Sequence, residues 1–280
     1  MTYTVGIDVG STYTKALILS DAHQIVGRAM MQTGFRLAEA AELTYHKALE
    51  QAEVDVKDVV YAVATGFGRH QVPLSDVNVT DLTASARGAT LLFPKTRTIL
   101  DVGGQTMKAS RLDDKAKVHS FRLNDKCAAG TGAFLEKTAR YMGFSTEEIG
   151  PLVATSKEAV PISGVCAVFA ESEVINHLSE GQAPADIMHG AMVSLVGRAV
   201  QLMRRVRMQE EITVVGGIMR FETMVQVVRS HLQTTINVPV GDLVQFIPAL
   251  GAAVLGHQRL RKLREEGTLE GGKRETPVQG

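Results

Sequence analysis

The 280-residue sequence lacks a net charge, a long apolar run and more than two cysteines. Lysine plus arginine and aspartate plus glutamate both number 30, which argues against a polyanion-binding surface and so against nucleic acid as a partner. No apolar run approaches the ~20 residues that cross a bilayer, and the N-terminus lacks the basic and apolar regions of a secretory signal. Two cysteines make a poor disulfide framework. We therefore expect a cytoplasmic protein with neither a membrane nor a nucleic acid as its partner.

The length and the 45% apolar content allow a sizeable core, either in one large α/β domain or in two linked lobes. Strand and helix patterns alternate, and the pattern that opens the chain is repeated further along it. We expect a first lobe over residues 1–95 and a second lobe over residues 96–264, which holds both cysteines within segments 123–178. Charged and glycine-rich residues predict a disordered tail over residues 265–280.

The two cysteines stand in matched settings, 39 positions apart. Cys127 and Cys166 each follow a short strand-like run and precede a helical pattern, over Ala133–Tyr141 and Ala167–Leu178. A thiol at a helix N-terminus lies near unpaired N–H groups and the positive end of the helix dipole, which favours the thiolate. The two thiols could therefore ligate a metal. The alternative is that both are small buried apolar side chains.

A strand that ends in Asp-x-Gly and a tight turn occurs twice, at Asp8 and at Asp101, 93 residues apart. Glycine and hydroxyl residues in such a hairpin leave room for a phosphate, and an aspartate at the strand end can hold Mg²⁺ through water. The repeat predicts a duplicated fold in which two phosphate-gripping hairpins face a cleft. The glycine and hydroxyl residues of the two turns are Gly10, Ser11 and Thr12 in the first, and Gly103 and Gly104 in the second.

Two further glycine-rich turns are candidates for backbone contact with a ligand. A buried strand over Thr213–Ile218 contains Gly216 and Gly217, where the backbone could approach a flat group such as adenine or ribose. Residues 130–132 (Gly-Thr-Gly) open the helix that follows Cys127. The carboxylates Glu171 and Glu173, on the helix that follows Cys166, are expected to be solvated charges rather than catalytic groups.

The order of these motifs is that of the phosphate-1, phosphate-2 and adenosine motifs of the actin/hexokinase/Hsp70 superfamily. The motifs are Asp8-x-Gly-x-Thr, Asp101-x-Gly-Gly, Val214-Val215-Gly216-Gly217 and Gly251-Ala252-Ala253. With the cysteine segments 124–132 and 165–175 added, about residues 3–260 resemble the BadF/BadG/BcrA/BcrD ATPase family. This family contains activators of 2-hydroxyacyl-CoA dehydratases and ATPase subunits of benzoyl-CoA reductases. The resemblance implies an α/β fold, the duplicated actin-like (ASKHA, ribonuclease H-like) two-lobe ATPase fold.

The resemblance also implies ligands. Cys127 and Cys166 would bind a [4Fe–4S] cluster; since a cubane takes four thiolates, it would be shared with an identical or paralogous ATPase subunit. Asp8 and Asp101 would organise Mg²⁺, and Gln105 is the candidate for positioning the attacking water. ATP or ADP would be bound by Gly10, Ser11, Thr12, Lys15, Gly103, Gly104, Gly130, Thr131, Gly132, Gly216 and Gly217.

The implied activity is electron activation driven by ATP hydrolysis. Reduced ferredoxin or flavodoxin would load the cluster, and hydrolysis would favour delivery of the electron to an acyl-CoA reductase or dehydratase. Residues 138–143 and 164–167 resemble benzoyl-CoA reductase ATPase subunits more than dehydratase activators, so the former is the first interpretation and the latter its alternative. Thr106 stands where activators commonly carry Asp, and residues 218–220 where the double glycine often continues to Asn. Both departures leave the phosphate and ribose contacts open.

Two rival functions share the nucleotide motifs. A small-molecule kinase of the same superfamily would need a base near the acceptor hydroxyl, and it would not need two cysteines at helix starts. A non-enzymatic actin-like assembly protein would keep its function with both cysteines changed to serine.

Overall fold

Alternating β-branched and aliphatic residues form two five-stranded sheets in the computed structural model, which describes residues 2–124, 131–162 and 167–266. The predictions for Cys127, Cys166, Gly130 and residues 267–280 of the tail fall outside these ranges. The strands of the first sheet are β1 Tyr3–Val9, β2 Tyr13–Ser20, β3 Ile25–Gln32, β4 Val59–Thr65 and β5 Val77–Asn78. Those of the second sheet are β6 Thr98–Val102, β7 Met107–Leu112, β8 Val118–Asn124, β9 Ile212–Val215 and β10 Ile236–Asn237.

The two sheets have the same topology. The first runs β3-β2-β1-β4-β5 and the second β8-β7-β6-β9-β10. In each, the leading three strands pair antiparallel and the remaining two are added in parallel. The registers also match, because Asp8 lies opposite Lys15 and Asp101 opposite Lys108, each residue 93 positions from its counterpart. The predicted duplication is confirmed.

Eight helices accompany these sheets in the described part of the chain. They are α1 Leu37–Ala52, α2 Asp81–Leu92, α3 Gly132–Tyr141, α4 Ile149–Ala154, α5 Ala167–Ser179, α6 Pro184–Arg205, α7 Glu222–Leu232 and α8 Ile247–Glu265. None of these helices is long and apolar enough to cross a membrane. The strand predicted over Thr213–Ile218 ends at Val215, because the chain turns at Gly216 and forms a single 3₁₀ turn over Gly217–Arg220.

The chain divides into two compact units, and their boundary differs from the prediction at the C-terminal end. One unit comprises Met1–Pro94 together with the chain from Phe246, and the other comprises Lys95–Gln245. Helix α8 therefore belongs with the first sheet, although it lies within the predicted second lobe, 96–264. The physical reason is close packing through small residues. A Cβ on Gly6 of β1 would overlap the carbonyl of Ala249, and one on Gly251 would overlap the carbonyl of Ala84 in α2.

The second unit has the larger continuous core. Helix α6 supplies much of it, with fully buried Met188, Met192 and Leu195 packed among residues of β6, β7, α3 and α7. The starts of α3 and α5 join the same core through Leu135 and Ala170. Both cysteine-led helices are thus fixed on the second unit by apolar burial.

Candidate functional site

The first hairpin carries a buried ion pair at the end of β1. Lys15 Nζ lies 3.3 Å from Asp8 Oδ2, and the two side chains are 16% and 8% exposed. A buried carboxylate needs such a partner, because an uncompensated charge is costly away from water. Gly66, the residue after β4, packs against the Asp8 side chain. It has a φ of +88°, and a Cβ there would overlap Asp8 Oδ1. Only glycine fits at this position without moving the carboxylate.

Thr33, the residue after β3, holds the turn of the first hairpin. The Thr33 hydroxyl donates to the Gly10 carbonyl at 2.8 Å, and the Thr33 N–H donates to the Thr12 carbonyl at 2.9 Å. Thr14 Oγ1 lies 2.9 Å from Thr33 Oγ1 and donates there, since Thr33 already uses its one proton on Gly10. The contacts with Thr33 therefore fix the backbone of the turn, while Ser11 at its tip is exposed to solvent. Sequence reasoning missed Thr33, which no motif marks.

The second hairpin repeats this turn in the other unit. The Gly103 N–H donates to the Thr106 carbonyl at 2.8 Å, as the Gly10 N–H donates to the Tyr13 carbonyl at 3.1 Å. Gly104 is half-buried and Gln105 is exposed at the tip. Thr106, one of the noted departures from the family pattern, thus contributes its carbonyl to closing the turn. Lys108, opposite Asp101, is the counterpart of Lys15, and the 93-residue repeat was the signal that could have identified it.

A glycine with positive φ again follows the neighbouring parallel strand. Gly216 has a φ of +111°, and a Cβ there would overlap the Val102 carbonyl at the end of β6. It occupies the position in the second unit that Gly66 occupies in the first. On the side of the neighbouring parallel strand, each hairpin is therefore contacted by a glycine, which has no side chain to keep the backbones apart. Gly217 follows in the 3₁₀ turn and is half-buried.

The departure at residues 218–220 has a structural basis. Ile218 and Met219 are buried in the core of the second unit. Arg220 donates to Glu147 Oε1 at 2.9 Å and lies over the ring of Phe221, 4.9 Å from its centroid. These residues anchor the 3₁₀ turn to the loop before α4.

The start of α3 is bonded to the second hairpin. The Gly132 N–H donates to the Gly103 carbonyl at 3.0 Å, and the Ala133 N–H donates to the Gly104 carbonyl at 2.8 Å. Thr131 and Gly132 are both buried. These two N–H groups already have acceptors, so their direct role is to support the hairpin from the helix that follows Cys127.

An ion pair joins the two cysteine-led helices. Lys137 Nζ of α3 lies 2.8 Å from each carboxylate oxygen of Glu171 on α5, and Tyr141 Oη donates to Glu171 Oε2 at 3.3 Å. The hydrogen bond with Glu171 raises the pKa of Lys137 above its ordinary value, and the contact with Tyr141 adds to this. Glu171, predicted to be a solvated charge, is instead 21% exposed and ion-paired, while its not being a catalytic group stays a prediction. Its partner lies 34 positions away along the chain, where helical spacing gives no signal.

The chain that leads towards Cys166 is anchored on α6. Asp186 Oδ1 accepts from Ser156 Oγ at 2.8 Å and from the N–H groups of the next two residues at 2.8 and 3.2 Å. The Ser156 hydrogen bond, followed by those two, lowers the pKa of Asp186. Gly190 of α6 lies directly under Val160, whose carbonyl a Cβ would overlap. Residues 156–160, which precede the second cysteine along the chain, are thereby fixed on α6.

Comparison with known proteins places these features in a family. The model of the BadF/BadG/BcrA/BcrD ATPase family matches residues 5–256. An activator of lactoyl-CoA dehydratase from Anaerotignum propionicum is 39% identical over 93% of this chain and 99% of its own length. A subunit of benzoyl-CoA reductase from Thauera aromatica is 31% identical over 96% of this chain and 99% of its own length.

A solved structure has the same fold along the whole chain. The activator of the 2-hydroxyisocaproyl-CoA dehydratase from Clostridium difficile, with bound ADPNP, gives a TM-score of 0.88 at 34% identity, and the match covers 98% of this chain and 100% of that one. The duplicated mixed sheets are those of the actin-like ATPase fold. The chain belongs to the BadF/BadG/BcrA/BcrD ATPase family.

Proposed function

We propose that the chain is an ATP-hydrolysing activator of a 2-hydroxyacyl-CoA dehydratase. The observation that carries this is the 39% identity to a lactoyl-CoA dehydratase activator over nearly the whole of both chains, against 31% for the benzoyl-CoA reductase subunit. This comparison favours the dehydratase activator over the benzoyl-CoA reductase subunit that residues 138–143 and 164–167 suggested. Those runs are short, and identity over the whole chain outweighs them.

The hairpins support nucleotide binding by the duplicated Asp-x-Gly turns. We assign Asp8 and Asp101 to Mg²⁺, held through water, because a hard cation prefers carboxylate and water oxygens. Lys15 balances the Asp8 carboxylate in the absence of the cation and can bind a phosphate oxygen once Mg²⁺ shares that carboxylate. The remaining contacts would come from the exposed hairpin tips, at Ser11 and Gln105, and from the glycine turns.

Cys127 and Cys166 are assigned to a [4Fe–4S] cluster shared with an identical or paralogous subunit. The donor set fits, because cysteine thiolates are the usual ligands of such clusters and two per chain make four in a dimer. Helix α5 begins at Ala167, directly after Cys166, so its N-terminal N–H groups favour the thiolate. When bound, the cluster supplies one electron at low potential. The donor would be reduced ferredoxin or flavodoxin and the acceptor an acyl-CoA dehydratase.

The proposal is tested on anaerobically purified protein by measuring iron and acid-labile sulfide and by adding a 2-hydroxyacyl-CoA dehydratase. We expect about two irons per chain, which is one cubane per dimer. Reduced protein with Mg·ATP should switch the dehydratase on, and ADPNP in place of ATP should not sustain repeated activation. Colourless protein that phosphorylates a sugar or acetate would replace this proposal with a small-molecule kinase.

Thr33 gives a prediction for the first hairpin. Thr33→Val keeps the shape of the side chain but leaves the half-buried Gly10 carbonyl without its donor, a loss of ~1 kcal/mol. Because the turn then loses its fixed geometry, we expect ADP and ADPNP to bind about tenfold more weakly. Titration calorimetry measures the affinity, and Thr33→Ser, which keeps the hydroxyl, should bind like wild type. Equal affinity in the valine variant would show that the turn does not depend on Thr33.

A further inference from the structure

We propose that Glu171 is a positioning residue for the cluster. With Lys137 and Tyr141 it braces α3 against α5, so that Cys127 and Cys166 of one chain reach the cluster as a preset pair. This rests on the cluster assignment proposed above.

The contact has the form of a brace rather than of a loose surface ion pair. One carboxylate receives three contacts from α3: 2.8 and 2.8 Å from Lys137 Nζ and 3.3 Å from Tyr141 Oη. The Glu171 side chain is only 21% exposed, although Lys137 is 51% exposed. Lys137 also lies over the Tyr141 ring, 5.6 Å from its centroid. Several mutually supporting contacts hold one geometry better than a single exposed pair does.

The brace joins the beginning of α5 to the middle and the end of α3. Lys137 lies five residues after the start of α3 and Glu171 four residues after the start of α5, which correspond to about 7.5 and 6 Å of helix. Such a contact resists a change in the separation of the two helices.

The start of α3 and the segment before α5 are each fixed by other contacts. Those contacts do not join the two helices to each other, and the brace does. The start of α3 is bonded to Gly103 and Gly104, and residues 156–160 are bonded to α6. Each of these contacts fixes a described stretch of chain on the rest of the unit. The contact of Glu171 with Lys137 joins the two helices directly. With it in place, α3 and α5 of a chain are held to each other as well as to the core.

The fold does not depend on this pair, which makes the proposal testable. Leu135 and Ala170 keep both helices in the apolar core when the carboxylate is neutralised. Glu171→Gln and Lys137→Met each remove the ion pair. Arg140→Met is the matched control, since Arg140 is an exposed cation on the same helix. The double exchange Lys137→Glu with Glu171→Lys restores opposite charges in reversed order.

The experiment uses full-length protein purified anaerobically, with the reduced-state EPR spectrum and the rate of iron release to a chelator as readouts. We expect full iron in every variant, with release about fivefold faster and a broadened EPR signal in the two single variants, the upper range for such a pair. Arg140→Met should match wild type, and the double exchange should recover most of the slow release.

Two results would overturn the inference, and each rejects a different assumption. Wild-type release and line shape in both Glu171→Gln and Lys137→Met would reject the brace and leave the cluster assignment standing. Iron-free wild-type protein would reject the cluster assignment and the brace with it. Thermal unfolding and ADP affinity, measured on each variant, separate loss of the brace from loss of the fold.

Discussion

Cys127→Ser or Cys166→Ser is expected to leave the protein without iron while ADP and ATP still bind. If each chain supplies two of the four thiolates, one substitution removes two ligands from every homodimer. A serine hydroxyl stays protonated near neutral pH and is a harder ligand than the thiolate it replaces, so it does not hold iron in the cubane. The expected loss is therefore of the whole cluster and of all activation of the dehydratase.

Nucleotide affinity is the control for these cysteine variants. The first hairpin is held by Thr33 and Lys15, both far from the cysteines along the chain, so its geometry should persist. Cys166→Ser is the cleaner of the two changes, because the helix after Cys127 starts on the second hairpin. Iron, sulfide and visible absorbance are measured beside ADP affinity. A full iron complement in either serine variant would contradict the ligand assignment.

The helices and strands were largely predictable, because the periodicity of apolar residues and the turn-forming residues are local features of the sequence. The helical spacing of apolar residues predicts a helix over Leu37–Ala52, and α1 has those bounds. The pattern after the second Asp-x-Gly turn predicts a strand over Met107–Leu112, and β7 has those bounds. The position of α8 was not predictable in this way. It returns to the first sheet through contacts of Gly6 with Ala249, more than 200 positions apart, and chain order says nothing about such a return.

The residues of the candidate site fall into the same two groups: those marked by local sequence and those brought together by contacts between separate elements. Asp8 and Asp101, with their turn glycines, could be proposed as candidates because the aspartate and the turn lie within a few consecutive residues. Thr33 and the Lys137–Glu171 pair were missed, since each depends on a contact between separate elements. Of the two glycines with positive φ that close the hairpin corners, Gly216 was predicted to contact the nucleotide and Gly66 was not among the candidate residues. Their backbone conformation and the carbonyls they approach are tertiary facts.

Asp101→Asn is expected to lower Mg·ATP hydrolysis by at least about a hundredfold while iron and sulfide stay at wild-type content. Removing one preorganised group that stabilises transition-state charge typically has an effect of this order. Asparagine keeps the size of the side chain and loses the negative charge that attracts Mg²⁺. Phosphate release, measured over a range of Mg²⁺ concentrations, reports the loss. Excess Mg²⁺ should recover part of the rate if the aspartate acts through the cation.

Two comparisons make this variant informative. Asp114→Asn, at a side chain 93% exposed and paired with Arg97, should hydrolyse ATP at the wild-type rate. Asp8→Asn should also stop hydrolysis, but it leaves the Lys15 ammonium, only 16% exposed, without its carboxylate and so should lower the unfolding temperature as well. Unimpaired hydrolysis in Asp101→Asn would remove the second hairpin from catalysis. Loss of hydrolysis with the cluster intact would instead show that the chain's two copies of one hairpin both serve the nucleotide, and that iron binding is a separate property of the cysteine segments.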